Sequence, residues 1–260
     1  ECAIMSEEDK AAVVKLSQGK DMPFDYSKTY LNHFIAKVAE VPDNLAVDDD
    51  SRQLTYAELD HRSNLVAHKL ISMGVAKQNF IGLMIERSVD FPTCVFGIHK
   101  AAAAYLPLDL EYPNERLSYM LENSEAPIVI STHDVFEAKR NMGGFEMLQT
   151  MLDNGKVLFV DDIDWTEDWA PINLCTPDCY TYIIYTSGST GKPKATSITH
   201  NNLVNFANNA PENYFQYDLL HNCMTSIALT TFTFDIAIFE IFFSLRFVGK
   251  LCVFVLVISV

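Results

Sequence analysis

The sequence predicts a layered α/β fold with largely parallel sheets and flanking helices. Short runs of β-branched and aromatic residues alternate with helical stretches of about ten or more residues, and glycine or proline separates many of them. Such alternation favours parallel strand pairing in a layered domain. With 260 residues, of which 49% are hydrophobic, the chain is long enough for a sizeable core.

The predicted elements follow in order after a polar tail at residues 1–22. Thr55 and Glu58 have the spacing of a capping box, Gly74 suits the stop of that helix, and Asp90 suits the cap of the next. Helices are predicted at 29–41, 55–73, 90–104, from 113, at 145–152 and at 201–207. Strands are predicted at 45–47, 80–85, 105–108, 128–131, 156–160, 182–185 and 250–254.

Charge and cysteine usage limit the classes of partner and compartment. A net charge of −15 argues against a nucleic-acid or anionic-membrane partner, because neither finds a basic patch. The six cysteines show no C-x-x-C pair, so we expect reduced thiols in a cytoplasmic protein. Because the chain starts at Glu1 without an apolar signal segment, we expect a piece of a longer product or an incomplete gene sequence.

The last ten residues are apolar at nine positions. A run of ten residues is too short to span a bilayer. A buried parallel strand fits residues 250–254. For the residues after 254, read-through into non-coding sequence is an open alternative.

A hydroxyl- and glycine-rich segment directly after the strand 182–185 is the most informative motif. Its donors can surround a polyphosphate, and its glycines allow a close backbone approach. The spacing is not that of the common P-loop, because two residues separate Gly188 from Gly191 and Pro193 follows Lys192. The alternative, a flexible linker, does not explain the preceding strand. The predicted phosphate loop consists of Thr186, Ser187, Gly188, Ser189, Thr190, Gly191 and Lys192.

Asp235 interrupts an apolar segment that is predicted to be buried on all sides. A buried carboxylate needs a partner. From the residues of this segment, a substrate-binding carboxylate and a helix N-cap are both open.

Four motifs, in order, resemble those of adenylate-forming enzymes, and more closely those of the adenylation domains of nonribosomal peptide synthetases. The four stretches are residues 54–59, 100–116, 182–194 and 234–242, and the resemblance covers residues 23–253. Ala195 departs from the glycine usual in the family, which would strain the loop if that position had a positive φ. His200 fits a polar helix start, Asp109 a turn, Arg116 a helix-surface charge, and Glu240 a buried or half-buried helix residue bonded to nearby backbone.

The resemblance implies activation of an amino-acid carboxylate by ATP and Mg²⁺ as aminoacyl-AMP, and then loading onto the phosphopantetheine thiol of a carrier domain. It implies that the phosphate loop holds ATP, with Thr190 and Lys192 in catalytic roles. It further implies that Asp235 binds the substrate α-ammonium group and that Ile236 and Phe239 line the side-chain pocket.

The resemblance also implies that residues 23–260 form a partial adenylation domain without its C-terminal part. We therefore expect negligible adenylation by these 260 residues alone. An acyl-CoA synthetase-type ligase and a non-catalytic remnant are the alternatives.

Overall fold

The computed structural model describes residues 5–18, 25–186, 193–206, 225–245 and 249–253, apart from the side chain of Phe239. The helices are α1 (Glu7–Ser17), α2 (Tyr30–Glu40), α3 (Tyr56–Ser72), α4 (Asp90–Lys100), α5 (Asn114–Asn123), α6 (His133–Asn141), α7 (Glu146–Asp153), α8 (His200–Phe206) and α9 (Asp235–Phe243). The strands are β1 (Leu45–Asp48), β2 (Gln53–Thr55), β3 (Phe80–Met84), β4 (Ala104–Pro107), β5 (Ile128–Ser131), β6 (Val157–Phe159), β7 (Tyr180–Thr186), β8 (Lys194–Thr199), β9 (Thr225–Ala228) and β10 (Lys250–Val253).

These strands form two sheets, both largely parallel, as predicted. The six-stranded sheet has the order β6-β5-β3-β4-β7-β8, in which β8 alone runs antiparallel to its neighbour. The four-stranded sheet has the order β2-β1-β10-β9, with an antiparallel β1–β2 pair. Parallel strands end at the same edge, so each sheet presents its loops at one carboxyl edge.

Helices α3 and α4 pack together so closely that a glycine is required between them. A Cβ atom built on Gly97 would lie 2.5 Å from the side chain of Val66 and 3.0 Å from the carbonyl oxygen of Ser63. Next to this contact, the rings of Phe34 and Phe96 stack with centroids 4.2 Å apart. The tight helix pair forms part of the larger hydrophobic core.

Buried Lys100 fastens the end of α4 to α3. Its Nζ donates to Oδ1 of Asp60 at 2.7 Å, to the Asp60 carbonyl oxygen at 2.9 Å and to Oδ1 of Asn64 at 2.8 Å. Burial lowers the pKa of Lys100 to about 8, against the opposing attraction of Asp60. Lys100 therefore has all three donors satisfied within the fold, and we assign it a structural role.

Most predicted boundaries agree with the structure to within a few residues. The capping box of Thr55 and Glu58 is formed, and Gly74 follows α3 with a φ of +87°. The expected N-cap at Asp90 is wrong: Val89 precedes α4, and the Asp90 carboxylate instead binds Arg52 at 2.7 Å. A partner that is distant in sequence outcompetes the local cap at this position.

Some elements had no clear sequence signal. Strands β2, β8 and β9 and helix α6 were not predicted. Residues 7–17, inside the predicted polar tail, form helix α1, which has no buried residue. The division of the chain at residue 23 stays a prediction.

Two further features concern the chain's chemistry. The four cysteines in the described ranges, Cys94, Cys175, Cys179 and Cys252, are free thiols. No helix in those same ranges combines the length and apolar character needed to cross a bilayer.

Candidate active site

A cleft of about 580 Å³ opens at the carboxyl ends of strands from both sheets. Leu83 and Pro107 reach it from the ends of β3 and β4, and the residues that follow β9 form its other wall. Its remaining lining includes Glu86, Arg87, Asp109, Glu111 and Phe232. This is the edge at which α/β sheets commonly bind ligands.

Strand β7 leads to the predicted phosphate loop at this edge. The strand ends at exposed Thr186, which pairs with Lys194 at the start of antiparallel β8. Ser187, Gly188, Ser189, Thr190, Gly191 and Lys192 lie outside the described residues, so their geometry stays a prediction.

Two contacts fix the residues that flank the predicted phosphate loop. The Tyr119 hydroxyl on α5 donates to the carbonyl oxygen of Pro193 at 3.3 Å. Ala195 lies opposite Tyr185 in the β7–β8 ladder and is not among the residues with positive φ, so the strain considered at this position is absent.

Asp235 is exposed, and the prediction of a fully buried segment is wrong. Asp235 is the first residue of α9, after the N-cap Phe234, and the exposed fraction of Ile236 is 58%. The helix buries Ala237 and Ile238 instead. Because nearly every residue of this segment is apolar, hydrophobicity could not distinguish the packed face from the open one. The side chain of Phe239 lies outside the described residues.

The Asp235 carboxylate lies close to β7. Burial, and then the charge of Asp235, raise the pKa of the Tyr182 hydroxyl to about 12. Among the described residues the Asp235 carboxylate has no hydrogen bond or ion pair, and Phe234 precedes it without a side-chain cap. Asp235 therefore presents an open carboxylate within electrostatic reach of Tyr182, on the strand that leads to the predicted phosphate loop.

The segment between β9 and Asp235 is held by two charged side chains. Arg87, which follows β3, donates to the carbonyl oxygens of Ala228 at 3.1 Å and Leu229 at 2.9 Å. Glu240 on α9 accepts from the amides of Leu229 and Thr230, both at 3.1 Å. The prediction that Glu240 is a half-buried residue bonded to backbone is confirmed. Arg87 was missed, because a single arginine after a strand has no distinctive pattern.

His200 differs from its predicted environment. It begins α8 as expected, but it is fully buried with its ring centroid 4.9 Å from that of His99. Burial, and then His99, lower its pKa well below the usual range. Within the described residues neither ring nitrogen of His200 has a hydrogen-bond partner. No sequence pattern indicates this histidine pair, because His99 lies in an otherwise ordinary helical segment.

The remaining charged residues of the second motif have structural contacts. Asp109 accepts from the backbone N–H of Glu111 at 3.0 Å, which confirms the predicted turn. Arg116 is half-buried over the ring of Tyr112, with its guanidinium carbon 3.8 Å from the ring centroid, rather than a free helix-surface charge.

Comparisons with known proteins agree with this arrangement. The chain is 32% identical over 240 residues to Gramicidin S synthase 2 of Aneurinibacillus migulanus, which covers 91% of this chain and 5% of that protein. It is 33% identical over 223 residues to Zwittermicin A synthase ZmaJ of Bacillus cereus, covering 85% of this chain and 39% of that protein. The chain therefore spans a small part of the length of the curated relatives it matches.

A solved structure shares the fold. The crystal structure of the nonribosomal peptide synthetase FmoA3 bound to alpha-methyl-L-serine-AMP has a TM-score of 0.77 and 24% identity, and covers 95% of this chain and 26% of that chain. At this identity the similarity concerns the fold. The AMP-binding enzyme family matches residues 34–256, which include the cleft, β7 and Asp235, so this chain belongs to the AMP-binding enzyme family.

Proposed function

We propose that this chain provides the phosphate loop and the start of the acid pocket of an amino-acid adenylation domain. The carboxylate of an amino acid attacks the α-phosphorus of ATP, the bond to the β-phosphate oxygen breaks, and aminoacyl-AMP and pyrophosphate result. Two anions must be brought together, so the reaction depends on alignment and charge compensation more than on acid–base chemistry.

The open Asp235 carboxylate beside β7 is the observation that carries the proposal. Its charge would attract an α-ammonium group, and Tyr182, whose pKa this charge helps to raise, lies four residues before the strand ends at Thr186. An ammonium group bound at Asp235 would leave the substrate carboxylate on the side of the phosphate loop. A fatty- or aryl-acid ligase has no ammonium group to bind at this position.

The phosphate loop supplies charge compensation in this proposal. Thr190 and Lys192 would contact the β- and γ-phosphates, with Thr186, Ser187, Gly188, Ser189 and Gly191 adding hydroxyl and amide donors. Mg²⁺ would arrive with ATP and reduce the negative charge of the phosphates. No group of three or more metal-ligating side chains lies together in the described ranges.

The same proposal assigns the remaining partners. Ile236, exposed beside Asp235, and Phe239 would line the pocket for the amino-acid side chain. The aminoacyl group would pass to a phosphopantetheine thiol on a carrier domain. We propose a cytoplasmic location, where ATP is available and thiols stay reduced, and no nucleic-acid partner, given the net charge of −15.

A chimera tests the proposal. The 223 residues of ZmaJ that this chain matches are replaced by the corresponding residues of this chain. Exchange of pyrophosphate into ATP is then measured separately with each member of a panel of amino, fatty and aryl acids. Unmodified ZmaJ is the positive control. We expect exchange with at least one amino acid. Exchange restricted to fatty or aryl acids would support a CoA ligase, and a folded chimera without exchange would support a non-catalytic remnant.

A further inference from the structure

We propose that Arg87 and Glu240 form a two-sided clamp that positions the segment 228–230, and through it Asp235, relative to the phosphate loop. Both are positioning residues, because they act through the backbone they hold. The clamp itself follows from the contacts below, whereas its effect on amino-acid binding rests on the proposed function.

Arg87 holds the carbonyl side of the segment. Its guanidinium donates to the carbonyl oxygens of Ala228, Leu229 and Thr230, which are consecutive along the chain. The guanidinium carbon also lies 4.8 Å from the ring centroid of Phe232. A planar group with five donors suits this arrangement, which the single ammonium of lysine cannot reproduce.

Glu240 holds the amide side of the same segment. Its Oε2 accepts from the backbone N–H groups of Leu229 and Thr230, and its Oε1 accepts from the Thr230 hydroxyl at 2.7 Å. Two consecutive residues thus have their carbonyl oxygens bound by a cation and their amides bound by an anion. Hydrogen bonds to charged partners are the stronger kind, so this segment is fixed more firmly than an ordinary loop.

An aromatic contact closes the clamp next to the cleft. The rings of Phe232 and Phe91 stack with centroids 3.5 Å apart and an interplanar angle of 18°. Phe91 belongs to α4, which follows Arg87 in the chain. The segment before Asp235 is therefore fixed to the same part of the fold by polar and apolar contacts.

The segment that carries Arg87, between β3 and α4, is itself held by contacts to another part of the fold. The amide of Val89 donates to Oδ2 of Asp49 at 2.9 Å, and Arg52 binds Asp90 at 2.7 Å. These contacts tie the segment after β3 to the turn between β1 and β2, which belong to the other sheet. Arg87 therefore connects the anchored segment after β3 of the six-stranded sheet to the loop that follows β9 of the four-stranded sheet.

This connection determines where Asp235 lies relative to the phosphates. Glu240 is on α9, whose first residue is Asp235, while β7, which leads to the predicted phosphate loop, is in the same sheet as β3, the strand that Arg87 follows. If the clamp opens, the ammonium-binding carboxylate loses its fixed distance from the ATP site. Small misplacements of this kind weaken an alignment-dependent reaction strongly.

Hydrogen–deuterium exchange on the full 260-residue chain tests the clamp without reference to activity. In Arg87→Ala we expect the amides of Leu229 and Thr230 to exchange at least about tenfold faster. Without Arg87 on their carbonyl oxygens, these residues are no longer held in place for their amides to donate to Glu240. Arg62→Ala is the matched control: Arg62 also lies over an aromatic ring, that of Trp165 at 5.1 Å, but away from this segment. Unchanged exchange in Arg87→Ala overturns the clamp.

Pyrophosphate exchange in the ZmaJ chimera tests the positioning role. We expect Arg87→Ala to raise the KM for the amino acid at least about tenfold while the KM for ATP changes less than about twofold, and Arg87→Lys to recover part of the loss. Partial unfolding would instead lower kcat without changing either KM. If a folded Arg87→Ala variant raises both KM values by the same factor, or changes neither, the positioning role is overturned. Loss of pyrophosphate exchange in the unsubstituted chimera overturns the proposed function, and hydrogen–deuterium exchange still decides the clamp.

Discussion

The carboxylate of Asp235 lies close enough to the hydroxyl of Tyr182 to contribute, after burial, to a Tyr182 pKa of about 12. Tyr182 is on β7, the strand that leads to the predicted phosphate loop, and Asp235 is the first residue of α9. Two motifs that are about fifty residues apart in sequence thereby lie near enough for the charge of one to act on a side chain of the other. The proposed binding of an amino acid between them depends on this proximity.

We expect Asp235→Ala to lower kcat/KM for the amino acid by roughly 100-fold in the chimera, equivalent to about 3 kcal/mol, because the ammonium group loses its charged partner. The KM for ATP should stay nearly constant. Glu40→Ala, which removes an exposed acid of α2, is the control. Retained amino-acid activity in Asp235→Ala would assign this residue a structural role only.

Lys192→Ala is expected to affect the kinetics for ATP rather than those for the amino acid. Loss of one charge-assisted contact to phosphate should raise the KM for ATP about tenfold or more, with little effect on the KM for the amino acid. Lys156→Ala, which removes an exposed lysine before β6, serves as the control. Kinetics of pyrophosphate exchange at varied ATP concentration measure the effect. An ATP KM equal to that of the control would remove Lys192 from the phosphate site.

Gly97→Ala should destabilise the fold by about 1–3 kcal/mol, although alanine is the better helix former. The new Cβ would lie 2.5 Å from the side chain of Val66 and 3.0 Å from the backbone carbonyl oxygen of Ser63. Relieving this clash requires α3 and α4 to move apart. Urea unfolding followed by circular dichroism measures the free energy of unfolding. Gly143→Ala is the control: it has open space around it and a φ of +73°, so it tests backbone strain without a packing clash. Wild-type stability of Gly97→Ala would contradict the close α3–α4 contact.

The buried histidine pair predicts a pH-dependent stability. Burial lowers the pKa of His99 to about 4, while its Nε2 donates to the carbonyl oxygen of Thr181. Between pH 6.5 and 4 the unfolded chain therefore binds a proton that the folded chain does not, so the free energy of unfolding falls as the pH falls through this range. Above pH 6.5 both states are neutral at this group.

At pH 5 the contribution of His99 to this loss is about 2 kcal/mol. Glutamine does not titrate, so from pH 7.5 to pH 5 the wild type should lose about 2 kcal/mol more than His99→Gln in urea unfolding. Parallel losses in the two proteins would show that His99 can accept a proton in the folded state.

The sequence was most informative where local chemistry determines structure. The Thr55 capping box and the glycine after α3 depend on neighbouring residues, and both were predicted. The strand before the phosphate loop and the backbone contacts of Glu240 were also predicted. The exposure of Asp235, the Arg52–Asp90 pair and the His99–His200 contact depend on residues that meet only in three dimensions. No single-sequence pattern encodes such contacts, and Arg87 was missed for the same reason.

Identification of the reaction products tests the central claim most directly. The ZmaJ chimera is incubated with ATP, Mg²⁺, the activating amino acid and hydroxylamine, and the products are identified by mass spectrometry. We predict an amino-acid hydroxamate together with AMP and pyrophosphate, formed roughly 100-fold more slowly by Asp235→Ala at low amino-acid concentration. Formation of ADP and phosphate in this incubation, or of a hydroxamate only in a parallel incubation with fatty acids, would contradict amino-acid adenylation at this site.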